Sequence, residues 1–204
     1  MIQNILSKKT DIEVASPYSL AKSVMSNMDS LYLEFIKASN GGFFYSKSLH
    51  MYSYGAYNLE HDIVNLNRTI KNEFGELAKD SFFFGQDLFG NQFGFQGSRV
   101  VLFNIETGDF EDNSNSFSDW LGLLHEDGDF LTGESLLADW ENSNALLGLG
   151  NRLCPKKPFV VGGEYQIENL SELGIVDNLS YNSELAKQIH NLPDGTPIRF
   201  QIRS

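Results

Sequence analysis

The chain has 204 residues, 41% of them apolar and 13% aromatic, enough to bury one sizeable core within the length of a single domain spanning 1–204. Its net charge of −12 is uneven: residues 1–79 carry 8 acids and 8 bases, residues 146–204 carry 6 and 6, and residues 80–145 carry 13 acids against Arg99 alone. A field of that sign repels phosphate backbones and anionic lipid and attracts basic proteins, which argues against direct nucleic-acid or membrane binding.

Apolar residues at Leu20, Val24, Met28, Leu31 and Phe35 keep helical spacing, and Asn40-Gly41-Gly42 supplies residues that tolerate the left-handed end of a helix. The aromatic stretch FFYSKSLHMYSYG reads as extended. A second helical pattern runs through Leu59, Ile63, Leu66, Ile70 and Phe74 and ends near Gly75. SFFFGQ, QFGFQ and RVVLFNI, separated by turn residues, predict a three-stranded antiparallel meander closed by a turn at Glu106-Thr107-Gly108-Asp109. Ser116, three residues before Asp119, predicts a helix start, with Phe117, Trp120, Leu121 and Leu124 on one stripe and Gly128 as its breaker. Thr132 is placed to cap a second short helix that turns Leu136, Leu137 and Trp140 inward. Beyond it, KPFVVGG reads as a buried strand, SELAKQIHNL as a helix, Asp194-Gly195 as a turn, and PIRFQIR as a strand with Ile198, Phe200 and Ile202 on one face. The mixture predicts an α+β fold.

The segment from Glu106 to Glu141 holds eleven carboxylates and no Lys or Arg. A calcium loop fails within it, because the position that needs glycine is Ser114 and the one that needs a bidentate Glu is Trp120. Carboxylate pairs for glycoside chemistry need a drying cleft, whereas these acids sit at turns and opposite the apolar stripes. Cys154 lies between Leu153 and Pro155, a setting for a small buried residue rather than a nucleophile paired with His190. His50, His61, His125 and His190 lack zinc-ligand spacing, and FGNQFGFQG leads into a strand without a lysine, unlike a phosphate loop. No catalytic residue, metal ligand or cofactor site is expected, and the chain reads as a non-enzyme. A single cysteine, no apolar signal core in MIQNILSKKTDIEV and no run of about eighteen apolar residues lead us to expect a cytoplasmic protein.

The ordered set NGGFF (40–44), LHMY (49–52), FFGQDLFGNQFGF (83–95), VVLFNIETG (100–108), SFSDWL (116–121), FLTGE (130–134) and LADWE (137–141) resembles the SUKH superfamily, in the branch of the yeast cell-wall synthesis regulator. The resemblance spans about 15–145, and PFVVGG with QIHNLPDGTPIRFQI resembles the C-terminal extension, 146–204, of many bacterial members. It implies an α+β domain with a central, mostly antiparallel sheet flanked by helices, in which Gly41, Gly42 and Gly90 serve turns and Trp120 and Trp140 the core. It also implies an immunity protein of a polymorphic toxin system, which binds and neutralises a cognate toxin domain, frequently a nuclease. The alternative is a regulatory or scaffold interaction module. The charge pattern then nominates Glu106, Asp109, Glu111, Asp112, Glu126, Asp127 and Asp129 as residues facing a basic partner.

Overall fold

The computed structural model describes residues 1–17, 28–193 and 195–197. Its centre is an antiparallel six-stranded sheet whose spatial order follows the sequence: β1 (Gly42–Phe44), β2 (Leu49–Met51), β3 (Phe82–Gln86), β4 (Gln92–Gln96), β5 (Arg99–Phe103) and β6 (Phe110–Ser114). The helices are α1 (Ile2–Leu6), α2 (Ser30–Ser39), α3 (Ile63–Phe74), α4 (Phe117–Thr132), α5 (Glu134–Ser143) and α6 (Ile175–Ile189). A separate two-stranded ribbon pairs β7 (Asn151–Pro155) with β8 (Leu170–Gly174). This is the α+β architecture expected, with helices on both faces of an antiparallel sheet.

Register explains the layering. Phe103 pairs with Gln92 and Leu102 with Phe93, so Phe103 and Phe93 point to opposite faces. On the Phe93 face, Phe117 and Trp120 of α4 and Tyr32 of α2 pack into an aromatic seam with Phe84 and Phe95. On the Phe103 face, Phe74 of α3 meets Phe103 edge-on at 5.0 Å, and Asn67 holds both backbone groups of Phe83. α6 lies against α3 on that side.

Several expectations change in detail. Residues 18–27, the first half of the predicted N-terminal helix, lie outside the described set; α2 begins at Ser30, capped by Asp29, whose carboxylate accepts from the amides of Leu31 and Tyr32. Its end at Asn40 is left-handed as read. The FFYSKSLHMYSYG stretch is a β1–β2 hairpin interrupted by three consecutive residues with positive φ, Tyr45, Ser46 and Lys47. Leu59, placed on the α3 stripe, is exposed in a 3-10 turn before the helix. KPFVVGG forms a 3-10 turn at Phe159–Val161 rather than a buried strand, with Val160 exposed. Asp194 and the predicted strand from Ile198 onward lie outside the described residues.

The largest departure concerns the acidic stretch. Its first part, between the predicted turn and the predicted helix start, is the edge strand β6. Ser116 does cap α4, accepting from the Asp119 amide at 3.1 Å, and Phe117, Trp120, Leu121 and Leu124 are buried. The break expected at Gly128 falls one residue earlier, at Asp127, whose φ of −142° and ψ of 52° are non-helical, and a second helical piece runs on to Thr132. Gly128 also admits the Tyr45 ring: a Cβ there would come within 2.6 Å of it. Thr132 is no cap either, since α5 starts after Gly133 at φ +79° and the Thr132 hydroxyl accepts from Ser48.

Candidate functional site

The seven carboxylates nominated from charge fall into three settings. Glu106 is buried on the turn after β5, and its two carboxylate oxygens accept from the amides of Phe159 (3.1 Å) and Val160 (2.9 Å). It is therefore not part of an exposed face: an acid tied down by backbone donors cannot reach outward to a rim. The Glu106 carboxyl is pushed up by burial, against the opposing pull of those two amides.

Asp109, Glu111 and Asp112 occupy the turn and the edge strand. Asp109 lies 3.1 Å from the His190 ring nitrogen, and Asp112 takes a bidentate hydrogen-bond pair from Arg99 at 2.8 and 3.0 Å. Charges on an edge strand also discourage another chain from adding to the sheet.

Glu126, Asp127 and Asp129 form the third group. α4 starts beside β5 and β6 and crosses to the β1–β2 tip, where the Tyr45 hydroxyl donates to the Leu124 carbonyl at 2.9 Å. The sheet's opposite edges thus separate these acids from those of β6. All three are exposed, and no Lys, Arg or His pairs with them among the described residues. Asp129 accepts from the Ser135 amide and so helps to start α5. Between Asp129 and Leu131 stands Phe130, 83% exposed. The stripe of Phe117, Trp120, Leu121 and Leu124 gave no signal for it, because the kink at Asp127 breaks the helical phase before Phe130 is reached. An exposed aromatic beside carboxylates that lack ion pairs among the described residues is the arrangement of an interface anchor within a charged rim.

Other polar groups are turned inward. Across β1 to β4 run Phe43, His50, Gln86 and Gln92 on one face, with His50 stacked on Phe43 at 4.5 Å. Arg152 of β7 lies over Phe43 at 5.6 Å, buried, and burial draws its guanidinium down to about 10, still charged at neutral pH. Sequence spacing gave no hint of this layer, because its members come from five strands. Cys154 is buried, and its thiol is pushed up to about 11, which leaves little thiolate for nucleophilic work. No three His, Cys, Asp or Glu side chains converge among the described residues, and no helix among them is long and apolar enough to cross a membrane.

No protein-family model matches the chain, and no curated protein matches it. The crystal structure of Atu4351 from Agrobacterium tumefaciens is similar in fold, with a TM-score of 0.59 at 16% identity over 90% of this chain and 89% of that one. At that identity the likeness carries the α+β architecture and not an activity.

Proposed function

We propose that the chain is a cytoplasmic, non-enzymatic immunity protein that binds a basic toxin domain and blocks it, using the acidic end of α4 with Phe130 as its apolar anchor. The observation that carries the reading is Phe130, 83% exposed beside Glu126, Asp127 and Asp129, none of them ion-paired among the described residues. Leaving a phenyl ring in water forgoes about 2 to 3 kcal/mol that burial against a partner would recover. The surrounding carboxylates would complement the basic surface of a nucleic-acid-targeting toxin and speed encounter with it. The ordered SUKH-like motifs supply the toxin-inhibitor role, and the net charge of −12 fits a basic partner.

The test is co-expression with the candidate toxin encoded beside the gene, scored by growth. Phe130→Ala combined with Lys at Glu126 and Asp127 should fold normally, since all three side chains are exposed, and should fail to protect; Asp129 is left in place because it caps α5. Lys at Asp109, Glu111 and Asp112 should protect as wild type does. Protection by the α4 variant would overturn the reading.

A further inference from the structure

On the Phe103 side of the sheet, a cavity of about 270 Å³ opens between the β3–β4 turn, the β5–β6 turn, α6 and the loop that follows the Phe159–Val161 turn. One wall is aromatic. Phe159 and Tyr165 stack with ring centroids 3.8 Å apart, and Phe89 meets both edge-on at 5.1 and 5.7 Å. The rest of the lining offers acceptors. Glu106 lines the cavity, and the two amides that it holds occupy one site on each oxygen of a carboxylate that can accept about four hydrogen bonds. No cationic side chain pairs with it among the described residues. Asn182 also lines the cavity, is 1% exposed, and donates to Asn178 through Nδ2 while its Oδ1 accepts no hydrogen bond among the described residues.

A buried carboxylate without a cation and a buried amide oxygen without a donor are both costly, and both are relieved by a ligand that brings positive charge and several N–H groups. The aromatic wall narrows the choice. A guanidinium is planar, stacks on aromatic rings and donates through a fixed fork, whereas an ammonium is a compact point charge that keeps its water more strongly. We propose that this cavity receives the guanidinium of an arginine side chain, with Glu106 accepting its fork and the Phe159–Tyr165 pair lying against its face. None of the cavity residues belongs to the acidic end of α4, so this site and the proposed interface there stand or fall separately.

The probe is a capped arginine, N-acetylarginine amide, titrated against the full chain while the aromatic ring resonances are followed by NMR. Capped citrulline, which has the same shape without the charge, is the control. The arginine probe should shift the Tyr165 and Phe159 rings saturably, citrulline should not, and Glu106→Gln should weaken binding by roughly tenfold or more. Should Glu106→Gln fail to fold, Tyr165→Leu serves in its place: Tyr165 is 65% exposed, so the fold tolerates its loss, and removing the stacking face should weaken binding several-fold. Equal binding of citrulline, indifference to both substitutions, or no ring shift with excess arginine probe would each overturn the proposal.

Discussion

His50 and His61 show how burial sets the chemistry of single residues in this protein. Burial holds the His50 imidazole well below its ordinary value and lowers His61 to about 4, and the neighbouring Arg152 charge pushes both the same way. Both rings are neutral when folded and free to take protons when unfolded. Their contribution is complete above about pH 6.5 and is lost as the pH falls toward the folded values. Asp87 runs the other way: burial raises it to about 6, so its contribution is present in acid and lost as the pH rises through that value. Melting curves at about pH 7.5 and about pH 5 read the net of the two opposing effects, and a histidine variant isolates one of them. The drop in melting temperature between those conditions should be smaller in His61→Gln than in wild type, whatever the variant's overall stability. An unchanged drop would mean that His61 does not drive the acid sensitivity.

Among the elements, α4 ties the molecule together and shows where the sequence could be read. Trp120 is fully buried, its ring 5.1 Å from Phe84, 5.2 Å from Phe93 and 5.4 Å from Phe117. Trp120→Ala should cost about 3 to 5 kcal/mol, seen as a lower midpoint in urea or heat; an unchanged midpoint would place the ring outside the seam. That stripe was legible because helical periodicity and a Ser116 cap coincide, and the β3–β5 meander was legible because apolar strands alternate with turn residues. β6 was not: in FEDNS only Phe110 is apolar, since an edge strand has one flank in water and can be charged. β7 and β8, no shorter than the strands of the meander, escaped notice for a related reason, since the buried Arg152 interrupts NRLCP and Ser171 and Glu172 interrupt LSELG. The run around Phe159 misled in the opposite sense, because an apolar string reads as strand even where it makes a single 3-10 turn. At the candidate site, acidity was visible and accessibility was not. Glu106 sits one residue from the buried Ile105, and only the fold reveals that its carboxylate is turned toward the Phe159 and Val160 amides.

Over the whole molecule, 13 of the 27 acids fall in residues 80–145, and the fold scatters them while pairing several. Lys47 holds Glu141 at 2.7 Å, and Arg99 and His190 hold Asp112 and Asp109, which leaves the α4 end as the freest concentration of negative charge among the nominated residues. Association with a basic partner should therefore slow as salt rises, since screening shortens the reach of exposed charges to about 10 Å at 0.1 M. The slope should flatten when Glu126 and Asp127 are reversed, and stopped-flow rates at two ionic strengths measure it. A slope indifferent to those residues would move the steering charge elsewhere. The hairpin tip at Tyr45, Ser46 and Lys47 bears on how the protein comes into being. Three left-handed residues in a row are costly by themselves, and the tip is held by Leu124 from 79 residues away, Glu134 from 88, Glu141 from 94 and Leu147 from 100. During synthesis the β1–β2 ribbon leaves the ribosome long before any of these partners exists. The backbone bond from Tyr45 to Lys8 can form at that stage, whereas the contacts that clamp the tip from α4 and α5 can form only once those helices have emerged.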